Sequence, residues 1–249
     1  MRGGRALPFH ARESHPPVRR PRRASAAPGL PVESILERQL KTGIREIPDL
    51  DISSAQIKVL SAYCRLVAQW NQAYNLVGPR TLPEIVPRHI LDSLSLSSFL
   101  PPGARRILDL GTGAGLPGLP LAVAHPDRRF TLLDRNRKKT RFVRQAKMEL
   151  NLSNIEVVTD EAKHYRGGPF ECIMARAVSS LAELVRSSAH LVAAGGVYLL
   201  PKGSEVDQEL RELPHGWDAA VKSLKGPANR SPVRTVVVLR APDADMGIP

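Results

Sequence analysis

Four glycines fall within eight residues of this chain, in Asp109-Leu-Gly-Thr-Gly-Ala-Gly-Leu-Pro-Gly118. Glycine reaches positive φ without steric cost and lets the backbone pass close to a ligand or to another element. The cluster follows an apolar, strand-like run at 107–110 and precedes a helix-like run at 116–124, so it reads as a tight strand-to-helix turn. The same texture continues downstream. Strands are predicted at 130–133, 155–158, 172–175, 197–200 and 234–239, and helices at 138–150 and 181–192. The first of these helices carries Phe142, Val143, Ala146 and Leu150 on one apolar face. Strands alternating with helices predict an α/β fold with a doubly wound, mostly parallel sheet. Such sheets bind ligands outside the carboxyl ends of their strands, where the strand order reverses.

Upstream, residues 32–100 are patterned as helix. Ser53 and Gln56 have the spacing of a capping box, and Ile57, Leu60, Cys64 and Val67 follow at helical intervals up to Trp70. A second helix is expected after Pro83, carrying His89 through Leu96. This helical subdomain is too small to act alone and is expected to pack on residues 101–249. Residues 1–31 are rich in Arg and Pro and lack apolar periodicity, which predicts a disordered tail. Half of the net charge of +12 sits in residues 1–30, and the basic remainder suits a polyanionic partner without proving one. No apolar run approaches the roughly 18 residues of a membrane span, and the N-terminus lacks a secretory core. Cys64 and Cys172, the only cysteines, exclude a disulfide framework or a multi-cysteine zinc site. A cytoplasmic protein is expected.

The glycine turn supports two registers. Gly113, Gly115 and Gly118 spell the dinucleotide fingerprint G-x-G-x-x-G, with Asp134 at a suitable distance beyond. Asp109, Gly111, Gly113 and Gly115 spell D-x-G-x-G-x-G, which resembles motif I of class I methyltransferases. A pyrophosphate needs bare amides at a helix N-terminus. S-adenosylmethionine has no phosphate but two cationic groups, for which Asp109 is a fitting neighbour. Asp134 would meet ribose hydroxyls in either register. The alternative reading of Asp109 is a loop cap.

Five blocks resemble the RsmG (GidB) family in order and spacing over residues 55–205. They are Trp70-Asn-Gln-Ala-Tyr-Asn-Leu76 with His89-Ile-Leu-Asp-Ser-Leu94; the segment from Ile107 to Leu121; Leu132-Leu-Asp-Arg-Asn-Arg-Lys-Lys139; Ala175-Arg-Ala177; and Pro201-Lys-Gly203. The resemblance implies a class I, Rossmann-like S-adenosylmethionine-dependent methyltransferase that modifies N7 of a guanine in 16S ribosomal RNA. It also implies donor contacts from Gly111 and Leu116, adenine contacts from Ala162 and Lys163, and a donor or substrate contact from Arg176. Glu161 stands where the family usually has an arginine.

His89 and Asp92 share a helix face; they are either packing residues or, as the resemblance implies, part of the substrate mouth. A metal role is not expected. Lys202 follows a strand on the substrate edge and is either a substrate contact or a solvated strand end. Arg137, Lys138, Arg141, Arg144 and Lys147 form a basic helix face that is either merely solvated or touches RNA phosphates. Both cysteines read as core, which removes the nucleophile that pyrimidine C5 methylation needs. Guanine N7 has an exposed lone pair, so no general base and no catalytic residue are assigned. Monomeric action on 16S ribosomal RNA or a small-subunit precursor is expected, without a membrane. The alternatives are an NAD(P)-dependent oxidoreductase on the same glycine turn and a non-catalytic RNA-binding or assembly protein.

Overall fold

The structure, a computed structural model, describes residues 32–78, 82–176, 180–202, 206–224 and 235–243. The predicted tail at 1–31, together with Ala177 and Gly203, lies outside the described residues. Among the described residues one sheet contains β1 Arg106–Leu110, β2 Arg129–Leu133, β3 Ile155–Val158, β4 Phe170–Ala175, β5 Val192–Lys202, β6 Asp218–Ser223 and β7 Thr235–Arg240. Their order is β3-β2-β1-β4-β5-β7-β6. The first five are parallel, and β7 runs antiparallel between β5 and β6. Strands β1 and β4 are buried on both faces, as a sheet covered by helices on each side requires. From β1 the chain goes first to β2 on one side and later returns to β4 on the other. The carboxyl ends of β1 and β4 therefore form the switch point where ligands bind.

One face of the sheet packs on α2 Ser54–Tyr74, α5 Gly118–Ala124 and α6 Arg137–Glu149; the other packs on α7 Leu181–Ser188. Successive strand residues serve opposite faces: Ile107 belongs to the first core and Leu108 to the second. The helical preface shares the first core. Leu40 of α1 Val32–Ile44, Leu60 and Val67 of α2, and Ile90 lie in one buried cluster with Ile107, Leu119 and Phe142. The capping box opens α2, with the Ser53 amide donating to Gln56 Oε1 at 2.8 Å and the Gln56 amide donating to Ser53 Oγ at 3.3 Å. Gln56 also donates from Nε2 to Val123 O at 2.7 Å, tying the start of α2 to the end of α5.

The helix expected after Pro83 is several pieces: α3 Leu82–Ile85, a π-helical turn Val86–Leu91, α4 Asp92–Leu94 and a 3₁₀ turn Ser95–Phe99. Pro87 has no amide hydrogen to donate, so the regular ladder breaks there. Sequence patterning gives no sign of β6, an edge strand with little alternation of exposure. The C-terminal α8 Asp207–Arg211 is a single short turn.

Candidate active site

The glycine turn is held from beneath by one carboxylate. Asp109 is 1 % exposed, and its Oδ2 accepts hydrogen bonds from Thr112 Oγ1 at 2.6 Å and from the Gly118 amide at 2.7 Å. Gly118 could carry no side chain, since a Cβ would lie 2.2 Å from Leu132 Cδ2 and 2.7 Å from Asp109 Oδ2. Helix α5 therefore starts hard against β1 and β2. Burial pushes the Asp109 carboxyl up to about 6, against the pull of its two hydrogen bonds and of Arg176. Its Oδ1 is buried and has no hydrogen-bond partner.

A second carboxylate holds the turn from the side. Asp134, at the end of β2, accepts the Gly113 amide on Oδ2 at 2.9 Å and the Asn136 amide on Oδ1 at 2.8 Å. The carbonyl of Leu133 takes the amides of Gly111 and Thr112 at 2.8 and 3.0 Å. Gly111 and Gly113 have φ of 73° and 60°, and a Cβ on Gly111 would meet nothing within 4 Å. A bare backbone edge thus faces open space. From the helical preface, the buried hydroxyl of Tyr63 donates to Ala114 O at 2.5 Å and braces the turn.

Above this edge lies a cleft of about 540 Å³. Of the residues singled out in the sequence, Gly111, Asp134, Ala162, Lys163 and Arg176 wall it. Asp109, Gly113, Gly115 and Leu116 are not in its wall, and Asp109 and Leu116 are buried beneath it. Asp109 caps the loop through its bonds to Thr112 and Gly118 and lies outside the cleft wall. Glu161 pairs with Lys163 at 3.1 Å, and both side chains are well exposed, so the pair adds little stability.

His89 and Asp92 are not among the residues that wall the cleft. Both ring nitrogens of His89 are buried without a hydrogen-bond partner among the described residues. Burial lowers its pKa to about 4, helped by the charges of Arg176 and Arg88, so the ring is neutral near pH 7. Asp92 is buried one turn further on. Lys202 does not reach the cleft; its Nζ bonds both oxygens of Glu209 at 2.9 and 2.7 Å, and Glu209 Oε2 also accepts the Leu181 amide. Sequence reasoning missed Thr112, Tyr63 and the Leu133 carbonyl. Tyr63 sits 51 residues from the carbonyl that it binds, a distance no local pattern reports.

The geometry separates the two registers. In the dinucleotide register the pyrophosphate rests on free backbone amides of the turn from Gly113 to Gly118, at the helix N-terminus. Here they donate to Asp134, to the Thr112 carbonyl and to Asp109. Two carboxylates at these amides would repel a pyrophosphate.

A family model described as GidB, rRNA small subunit methyltransferase G, matches residues 56–232. A Ribosomal RNA small subunit methyltransferase G from Nitrosococcus oceani is 44% identical over 188 residues, covering 75% of this chain and 86% of that protein. The protein of the same description from Ectopseudomonas mendocina is 45% identical over 177 residues, covering 71% and 82%. Among solved structures, cofactor-bound Rv0187 from MTB superposes with a TM-score of 0.52 at 18% identity, over 74% of this chain and 90% of that one. TrmN from Thermus thermophilus superposes at 0.50 and 18%, over 84% and 78%. The two structures speak for the shared fold, while the family match and the identities to its members place this chain in the rRNA small subunit methyltransferase G family.

Proposed function

We propose that this enzyme transfers a methyl group from S-adenosylmethionine to N7 of a guanine in 16S ribosomal RNA. The observation that carries the reading is the bare edge at Gly111, held between two carboxylates and open to the cleft. When bound, the donor supplies an electrophilic methyl group on a sulfonium. Gly111 and the turn through Gly113, Gly115 and Leu116 would hold its methionine end by shape. Asp134 keeps lone pairs beyond its two backbone bonds for ribose hydroxyls. Ala162 and Lys163 would flank the adenine, and Arg176 would stand at the junction of donor and base. Asp109 acts through the loop that it caps.

N7 chemistry needs no general base, so none of the cleft carboxylates is assigned that role. The N7 lone pair lies in the base plane and needs no deprotonation, so the chain has only to orient the base and exclude water. Neither thiol can serve as a nucleophile for pyrimidine C5. Burial raises Cys64 to about 12 and pushes Cys172 up as well. On the substrate side, neutral His89 keeps one donor and one acceptor beside Arg176, which suits a base edge. Asp92 supports that mouth from behind. The target base must be unpaired, as in an RNA loop. Action as a monomer in the cytoplasm completes the reading.

The test is transfer of a tritiated methyl group to small subunits from cells lacking this protein, followed by nucleoside mass spectrometry. The expected product is 7-methylguanosine in 16S rRNA. Label on another atom or base would overturn the assignment, and tight NADH binding without donor binding would replace it with the oxidoreductase reading.

A further inference from the structure

The block Trp70-Asn-Gln-Ala-Tyr-Asn-Leu76 is only partly explained by packing. Trp70 rests on Phe142 of α6, with ring centroids 5.5 Å apart. Asn71 is buried and staples the following turn onto α2, donating to Val77 O at 3.0 Å and accepting the Val77 amide at 2.9 Å. Asn75 ends the helix with φ of 47°. Tyr74 remains. It stacks on Trp70 at 5.3 Å and 30°, and yet is 45 % exposed.

The position of this stack follows from the direction of α2. Gln56 touches the last residues of α5, and Tyr63, two turns later, touches the glycine turn that precedes α5. Helix α2 therefore climbs toward the carboxyl edge of the sheet, and Trp70 and Tyr74 continue that climb. Helix α6 starts from the same edge, directly after the cleft residues Asp134 and Arg135. Lys138 precedes Phe142 by four residues, and Tyr74 follows Trp70 by four. Each lies one turn nearer the edge than the Trp70–Phe142 contact, on the same face as its partner.

The start of α6 is itself electrostatically costly. Arg137, Lys138 and Lys139 crowd the positive end of its dipole, and its first turn holds no acid. Arg137, Lys138 and Arg141 are exposed. Arg144, by contrast, is tied to Thr159 Oγ1 at 2.7 Å, and is not part of this surface. An aromatic face beside a helix start rich in cations and without an acid of its own matches a single strand of nucleic acid, whose bases stack and whose phosphates bring negative charge.

We infer that the outer face of Tyr74 is a stacking platform for an unpaired base of the RNA flanking the target, with Arg137 and Lys138 holding the adjacent phosphates. This rests on the RNA substrate proposed above. Tyr74 is thus a positioning residue outside the cleft.

The full-length wild type, Tyr74→Ala, Tyr74→Phe and Lys138→Ala are compared for KM toward small subunits, kcat at saturating RNA, donor affinity by calorimetry, and melting temperature. Tyr74→Ala is expected to raise KM about 10- to 100-fold, with kcat, donor affinity and melting temperature close to wild type. Tyr74→Phe, which keeps the ring, should restore KM. Lys138→Ala should weaken RNA binding and reduce its salt slope by about one phosphate. A Tyr74→Ala enzyme with wild-type KM overturns the platform while leaving the methyltransferase reading intact. So does a parallel fall in melting temperature and donor affinity, or a Phe variant that fails to rescue. A wild type that neither binds nor methylates the RNA overturns both.

Discussion

The glycine turn edges the cleft and the π-helical segment lies outside its wall, and their polar groups are treated differently. In the turn, the amides of Gly111, Thr112, Gly113, Gly115 and Gly118 each have an acceptor within 3.0 Å. In the segment Val86–Leu91, both ring nitrogens of His89 are buried with none among the described residues. A buried polar atom without a partner costs on the order of 1–3 kcal/mol, so the second arrangement persists against its own energetics. Such costs are commonly concentrated at functional sites. On the function proposed above, the contrast separates a donor side, whose turn amides are already paired, from a substrate side around His89 that retains hydrogen-bonding capacity. Arg176 joins the two, since its charge acts on both Asp109 and His89.

The rigidity of the donor side is open to the largest test. Gly118→Ala would force a Cβ to within 2.9 Å of three atoms of Leu132 and Asp109, two of them in the loop cap itself. The expected loss is about 3 kcal/mol, or roughly 6–12 °C in melting temperature for a chain of this size. Gly111→Ala meets no neighbour within 4 Å but sits at φ of 73°. It should cost only about 1–2 kcal/mol in stability. Its donor affinity should fall more than its melting temperature, because the added methyl projects into the space the donor takes. Calorimetric scans and donor titrations on both variants check this pair. If the two lose stability equally, packing does not distinguish the glycines and the cradle argument fails.

The two sides also carry opposite responses to pH, and here the effect is intermediate in size. Asp109 titrates near 6 in the fold and near 3.8 when unfolded, so the folded state binds more protons between those values. Its contribution is fully present below about 4 and is lost as pH rises through about 6. His89 titrates near 4 in the fold and near 6.5 when unfolded. Its contribution is present above about 6.5 and is lost as pH falls through about 4. In the wild type the two slopes oppose each other over nearly the same window. Asp109→Asn retains an acceptor for Thr112 and Gly118 and should leave stability rising with pH from 4 to 6.5. His89→Phe should leave it falling from 4 to 6. Denaturant midpoints measured at half-unit pH steps would show the divergence. Parallel profiles for the two variants would contradict the assignment of burial as the dominant cause.

Much of the donor side was legible in the sequence because its signals are local. Four glycines, a following Asp134 and strand–helix alternation all lie within short windows, and the capping box at Ser53 and Gln56 opens α2 as its spacing predicts. The ambiguity at Asp109 was of another kind. The same motif fits a residue facing the donor and a residue capping the loop, and the capping bonds to Thr112 and Gly118 become visible only in three dimensions. The substrate side depends on long-range proximity. Nothing near His89 in sequence announces that Arg176, 87 positions away, shapes its charge state. The π turn at Pro87 and the edge strand β6 escaped because each breaks the periodicity by which elements are recognised.

Lys202 provides the smallest and most discriminating check on where the substrate side ends. Its strand-end position made it a candidate substrate contact, but its side chain is only 12 % exposed and its ammonium bridges both oxygens of Glu209. Through the bond of Glu209 to the Leu181 amide, the pair fixes the start of α7 against the end of β5. Removing one member of a half-buried pair of this kind should cost about 1 kcal/mol. Lys202→Met keeps the apolar stem and removes the charge, so the melting temperature should drop by a few degrees. The KM for RNA should stay within about twofold, because a cation already satisfied by a carboxylate has little left for a phosphate. A rise of tenfold or more, with the melting temperature unchanged, would mean that the lysine leaves Glu209 when RNA binds. The substrate side would then extend across β5 to a surface that the resting geometry assigns to packing.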